Sequence, residues 1–232
     1  MAEGQGSYKV GFKRLYVGVF NPEATKVVKR MTWEDEKGGT VDLNITGLAP
    51  DLVDMFASNK RVWMKKQGTN EVKSDMSIFN IPSDDLNTVI GRTKDKNGTS
   101  WVGENTRAPY VTVIGESEDG LTGQPVYVAL LKGTFSLDSI EFKTRGEKAE
   151  APEPTKLTGD WMNRKVDVDG TSQGIVYGYH EGKEGEAEFF KKYSLDTRTV
   201  KIIQRILQVR YPANPQNVEV AVNSKSATVS AE

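Results

Sequence analysis

Apolar and polar residues alternate along most of this chain with a period of two, the signature of half-buried antiparallel strands. Residues 14–20 are rich in β-formers (Leu15, Tyr16, Val17, Val19), and residues 26–33 repeat the pattern more weakly. In residues 40–46, Val41, Leu43 and Ile45 share one face, and Asp42, Asn44 and Thr46 share the other. Residues 71–79 oppose Val72, Met76 and Ile78 to Lys73, Asp75 and Ser77. The last two segments match in amphipathicity and predict a hairpin. Its connection, residues 48–68, carries Phe56, Trp63 and Met64 among Lys60, Arg61, Lys65 and Lys66. A structureless connection of roughly twenty residues is uncommon in a compact domain and is usually functional.

The stretch IPSDDLNTVIG changes the period. Ser83 reads as an N-cap, Asp84 and Asp85 suit the positive end of a helix, and Gly91 suits its C-terminal cap. Leu86, Val89 and Ile90 fall at i, i+3 and i+4, so one short helix is predicted to pack on the sheet. RTKDKNGTSWVGEN reads as a polar turn region. Strands follow at residues 110–116, 125–131, 133–143, 157–163 and 174–179, with an extended connector, EKAEAPEPTK, before the fourth. Roughly eight or nine strands and one helix give a mainly β fold: two antiparallel sheets, as a sandwich or partial barrel, with one flanking α-helix.

Near residue 180 the composition shifts. EGKEGEAEFFKKY is charged, TRTVKIIQRILQVRY is basic and apolar, and QNVEVAVNSKSATVSAE alternates cleanly and then stops. The last pattern looks like the opening strand of an immunoglobulin-like repeat, which cannot bury its apolar face alone. Two readings of this region stand side by side. Either residues 193–232 are an appendage to a domain of residues 1–192, or residues 200–211, with Ile202, Ile203, Ile206 and Leu207, complete the main domain.

Charge and chemistry narrow the function. The 232 residues have a formal net charge of −1, so nothing global draws the chain to nucleic acid or an acidic membrane. With no cysteine, disulfides and thiolate metal sites are excluded. The N-terminus lacks the apolar core of a signal peptide, and no apolar run approaches the ~18 residues of a membrane span. Manufacture in a cytoplasm without general export is the expectation. Catalytic equipment is sparse. The lone His180 sits in a Gly/Glu-rich stretch and reads as exposed and bland. Asp84–Asp85 reads as helix-end carboxylates before it reads as an acid pair. Asp167, Asp169 and Gly170 read as a turn, since a calcium loop there would begin at Lys165 and close at Val176. No cofactor and no enzymatic activity are expected.

Three stretches together carry a resemblance: VGFKRLYVGVF, then DLNITGLAPDLVDMFASNKRVWMKKQGTNEVKSDMSIFNIPSDDLNTVIG, then PVYVALLKGTFSLDSIEFKTRGEKAEAPEPTKLTGDWM. They resemble the major tail proteins of long, flexible-tailed phages of Gram-positive bacteria, most of all those of temperate staphylococcal phages. KGTFSLDSIEFKT with its acidic, proline-containing connector is the most specific part. The resemblance covers about residues 1–192 and implies a virion protein, assembled in the host cytoplasm, that forms hexameric rings stacked into the tail tube. Its partners would be further copies of itself and the tape-measure, tail-terminator and tail-tip proteins, with viral DNA passing through the bore without specific binding and no membrane contact.

On that resemblance residues 48–68 are the inter-ring stacking loop, with Phe56, Trp63 and Met64 as apolar contacts and Lys60, Arg61, Lys65 and Lys66 pairing with acids of the next ring. Asp42, Asn44, Asp75 and Ser77 are the candidate lumen lining, and Leu86, Val89 and Ile90 hold the helix to the sheet. Related phages make a longer tail protein by frameshifting, which would suit the change at residue 193. The alternative reading is an all-β adhesion or carbohydrate-binding module, with Trp33, Trp101 and Trp161 as stacking platforms.

Overall fold

The computed structural model describes residues 8–140, 144 and 151–193, which belong to one compact unit, Met1–Leu195. A second unit, Asp196–Glu232, lies outside the described residues, as do both readings of residues 200–211 and the final alternating strand.

An eight-stranded antiparallel sheet dominates. Its order is β2 (Val27–Glu34), β1 (Lys9–Phe20), β9 (Val111–Asp119), β10 (Pro125–Ser136), β11 (Thr155–Trp161), β6 (Val72–Phe79) and β3 (Gly39–Thr46), with β14 (Tyr177–Glu181) also paired to β10. The sheet forks at β10. One side pairs with β9, while the other pairs first with β14 at Val126 to Leu130 and then with β11 at Gly133 to Ser136.

The connectivity forces this sheet to curl. β2 and β3 stand at opposite ends of the strand order, yet only residues 35–38 join them. In a flat sheet they would be about 29 Å apart at the usual strand spacing. The link can reach only about 18 Å when fully extended. β3 therefore returns against β1 without closing a barrel: the Thr40 hydroxyl donates to the Phe12 carbonyl, and Phe12 and Leu43 meet over Gly115. Leu15 and Val17 of β1, Trp33 of β2, Met76 and Ile78 of β6 and Trp161 of β11 belong to the core. Trp161 packs edge-on to Phe135 at 5.7 Å, and its indole N–H donates to Ser74 Oγ at 2.8 Å.

The first helix, α1 (Ser83–Ile90), has the expected bounds, but Ser83 is not its cap. Pro82 takes the N-cap position and supplies no side-chain bond; its carbonyl accepts from Asp85 N–H and Leu86 N–H. Asp84 and Asp85 occupy the first turn and pair with Lys94 (2.6 Å) and Lys29 (3.4 Å), so they are helix-end carboxylates. Gly91 closes the helix at φ 72°, where a Cβ would stand 2.1 Å from the Arg107 carbonyl oxygen. Val89 and Ile90 are buried in the core, and Leu86 packs against it half-buried. Ile90→Ala is expected to cost about 2–5 kcal/mol, and Leu86→Ala less, because less of its surface leaves water. Equal small shifts in chemical denaturation would show that α1 is peripheral.

A second helix, α2 (Glu186–Lys192), corrects the expectation of one. Phe189 and Phe190 turn into the sheet, and Phe190 meets Tyr16 and Tyr127 edge-on at 5.4 and 5.1 Å. Residues 15–20 are buried on both faces, where simple alternation predicts one: α2 covers Tyr16, and the Arg164 guanidinium lies 4.8 Å from the centre of the Phe20 ring. His180 is half-buried here, not exposed; it stacks on Phe189 and Tyr127 with ring centroids 5.3 and 6.3 Å away. Tyr193, placed by sequence outside the domain, packs its ring 4.4 Å from that of Phe189.

Beneath α2 lies a buried polar cluster. Tyr16 donates to Glu116 at 2.8 Å, and Arg14 stands between Glu116 (3.2 Å) and Glu34 (3.3 Å). Burial, reinforced by the Glu116 charge, raises the phenol pKa values of Tyr16 and Tyr127 well above the ordinary value near 10. Above that value the unfolded chain loses phenol protons that the native state keeps, so stability falls as pH rises from about 10. The thermal midpoint is expected to drop between pH 9 and 11.5, and less steeply for Tyr127→Phe. An identical slope in the variant would remove Tyr127 from the explanation.

Candidate functional site

Residues 48–68 are not structureless. They hold a two-stranded hairpin, β4 (Val53–Ala57) and β5 (Lys60–Lys65), separate from the main sheet. Ala57 pairs with Lys60 across Ser58 and Asn59, whose φ values of 49° and 60° make the mirror-image turn that suits strand twist. The hairpin leaves the sheet at Gly47, φ 77°, where a Cβ would lie 1.9 Å from the Glu71 carbonyl oxygen. Only glycine fits that exit without moving the backbone.

The hairpin keeps its apolar side chains in solvent. Phe56 is 61% exposed, Trp63 48% and Met64 66%. Val53, Met55 and Val62 are exposed beside them, and the sequence reading missed these three. Their signal was the alternation Val53–Met55 ahead of a turn-forming Ser-Asn. The expected charges divide. Arg61 is held within the hairpin, 3.0 Å from Asp54 and with its guanidinium 5.5 Å from the Phe56 ring centre. Lys60, Lys65 and Lys66 are exposed. An apolar protrusion of this kind is what a protein–protein contact buries.

The second surface is the polar face of β3, β6 and β11. Register sets Asp42 opposite Ser77, Asn44 opposite Asp75 and Thr46 opposite Lys73. Continuing across β6, Lys156 faces Ser77, Thr158 faces Asp75 and Asp160 faces Lys73. Asp42, Asn44 and Asp75 are exposed, whereas Ser77 is buried. Lys73 stands on this same face, 3.4 Å from Glu71. The band thus mixes Asp42, Asp75 and Asp160 with Lys73 and Lys156, close to neutral.

The other sequence candidates are structural. Trp33 (0% exposed) and Trp161 (7%) are core residues; of the three tryptophans considered as sugar platforms only Trp101 is exposed, with its indole N–H donating to Asp95 at 3.0 Å. Asp169 and Gly170 form the turn of a second small hairpin, β12 (Arg164–Val168) and β13 (Thr171–Ile175), and Asp167 Oδ1 accepts from Gly170 N–H. A third, β7 (Thr93–Lys94) with β8 (Ser100–Trp101), spans the polar turn region around Gly98. Among the described residues no cluster of three or more His, Cys, Asp or Glu side chains could hold a metal ion.

A curled antiparallel sheet, an apolar hairpin held in solvent and a nearly neutral polar face are the features of a chain built for protein–protein contact. A family profile described as phage tail tube protein matches residues 18–198. The chain belongs to that family and is a structural protein of the phage tail. Comparison with curated proteins finds no match.

Proposed function

We propose that the chain forms hexameric rings that stack into the tail tube of a long-tailed phage of a Gram-positive host, through which the genome leaves. The observation that carries this reading is the hairpin of residues 53–65, whose six large apolar side chains stay in solvent in the single chain. A repeated ring needs a head-to-tail contact, and such contacts build open-ended polymers. The hairpin is the axial contact, with Phe56, Trp63 and Met64 as anchors, since aromatic residues dominate such contacts. Edge strands β2 and β3 supply the lateral pairing, because joining edges between subunits removes exposed strand edges.

The face of β3, β6 and β11 lines the bore. Each phosphate neutralised by Lys or Arg adds affinity, so a surface that DNA must slide past is best left without a basic excess. Asp42, Asp75 and Asp160 offset Lys73 and Lys156 on that face. The tube would end against tail-terminator and tail-tip proteins and enclose a tape-measure protein, with assembly in the host cytoplasm. Electron microscopy of the purified protein at rising concentration tests the reading. Rings and tubes are expected; persistent monomers that bind glycans would replace it with an adhesion module.

Residues beyond the compact unit are, on this account, an appendage to the tube. Truncation after Leu195, which keeps Tyr193 against Phe189, is expected to leave tube formation intact. Insoluble or monomeric protein would assign residues 196–232 to the core or to an interface.

A further inference from the structure

The hairpin and a groove near α1 lie at opposite ends of the same strand. The hairpin leaves and rejoins the sheet at the Val72 end of β6, where Asn70 N–H donates to the Gly47 carbonyl. The groove lies at the Phe79 end, where Ile78 pairs with Thr155 and α1 begins four residues after Phe79. The eight residues of β6 put about 23 Å between those two ends. The groove measures about 300 Å³ and includes Leu86 of α1, Leu137, Ile140 and Pro154 in its walls. Ile140 is among the most exposed apolar residues, as the hairpin's own side chains are.

We infer that this groove is the socket for the hairpin of a second copy of the chain in the next ring. The inference rests on the axial role proposed above for the hairpin and names its receiving site. Two observations support the pairing. The first is placement. A contact can be passed along an axis only when donor and acceptor surfaces sit at opposite ends of the subunit. A larger groove lined by Phe12, Leu43, Ile45 and Leu48 fails this test, because Leu48 leads directly into the hairpin at the same end. The second is charge. The hairpin and its flanks carry Lys60, Arg61, Lys65 and Lys66 against Asp51 and Asp54. Glu153 lines the socket, Asp138 adjoins Leu137, and Asp84 and Asp85 precede Leu86; Lys156 in the wall and Lys94 and Lys29, which pair with Asp84 and Asp85, offset three of these four acids and leave the rim with one negative charge over. Phe56 or Trp63 enters between Leu86 and Ile140, and the lysines reach the acidic rim. Opposite potentials of this kind fix orientation and register more than they add affinity.

The absence of native cysteine permits a clean test. Phe56→Cys and Ile140→Cys are introduced together, the protein is assembled, and the assembly is oxidised and run on a non-reducing gel; Met64→Cys with Leu137→Cys is the second pair. A ladder of covalent oligomers from either pair, lost on reduction, is the expected result. A ladder from Phe56→Cys with Leu43→Cys, and none from the two socket pairs, would overturn the assignment and move the hairpin to the groove at its own end. If no pair links while hairpin deletion still abolishes tubes, the socket is wrong and the axial role stands. If hairpin deletion leaves tubes intact, the axial role itself falls, and the socket with it.

Discussion

Replacing residues 52–66 with a short Gly/Ser linker is expected to abolish tube formation while leaving the fold intact. The hairpin is separate from the eight-stranded sheet, and its side chains are absent from the core. Removing it uncovers only its own base. The thermal midpoint should therefore change little, whereas sedimentation should show rings or monomers in place of polymers. Point changes should grade the effect. Trp63→Ala or Phe56→Ala is expected to weaken stacking by 2 kcal/mol or more at a hot spot, about thirtyfold in the concentration needed for assembly. Tubes of ordinary length from the deletion variant would reject the hairpin as the axial contact.

Trp33→Ala is expected to be the most damaging single substitution in the core. Trp33 is fully buried in β2, inside the curl. Truncating a buried Trp costs about 3–5 kcal/mol from lost transfer energy and the cavity left behind. That is a large part of the 5–15 kcal/mol typical of a whole domain. Trp101→Ala, at an exposed position, should change stability by about 0.5 kcal/mol or less. Urea titration of both variants separates a core tryptophan from a binding platform: small, equal losses of stability would contradict the packing described for β2.

Much of the fold was legible because the signals were local. Alternation in residues 40–46 and 71–79 marks two strands whose register then sets Leu43 against Met76 and Asn44 against Asp75. The helix of residues 83–90 announced itself by spacing and by Gly91. What was not legible depends on distant partners. Tyr16 alternates as though it faced water, yet Phe190, 174 residues later, covers it. α2 was hidden because Phe189 and Phe190 are adjacent rather than spaced by three or four, so no helical stripe forms. The hairpin within residues 48–68 was missed because its strands are short and carry apolar side chains on both faces, which leaves no clean alternation to read. The strands within residues 164–175 went unread for a plainer reason: Asp169–Gly170 was recognised as a turn, but the polar flanks hid two paired strands.

In the proposed assembly the hairpin bridges successive rings, and the face bearing Asp42, Asn44 and Asp75 looks into the bore. Helical reconstruction of assembled tubes by electron cryomicroscopy measures both at once. Density for residues 48–68 is expected to cross from each ring to the next, with β3, β6 and β11 on the inner wall. Hairpins lying on the outer wall without touching the adjacent ring, or Asp42 and Asp75 facing external solvent, would contradict it.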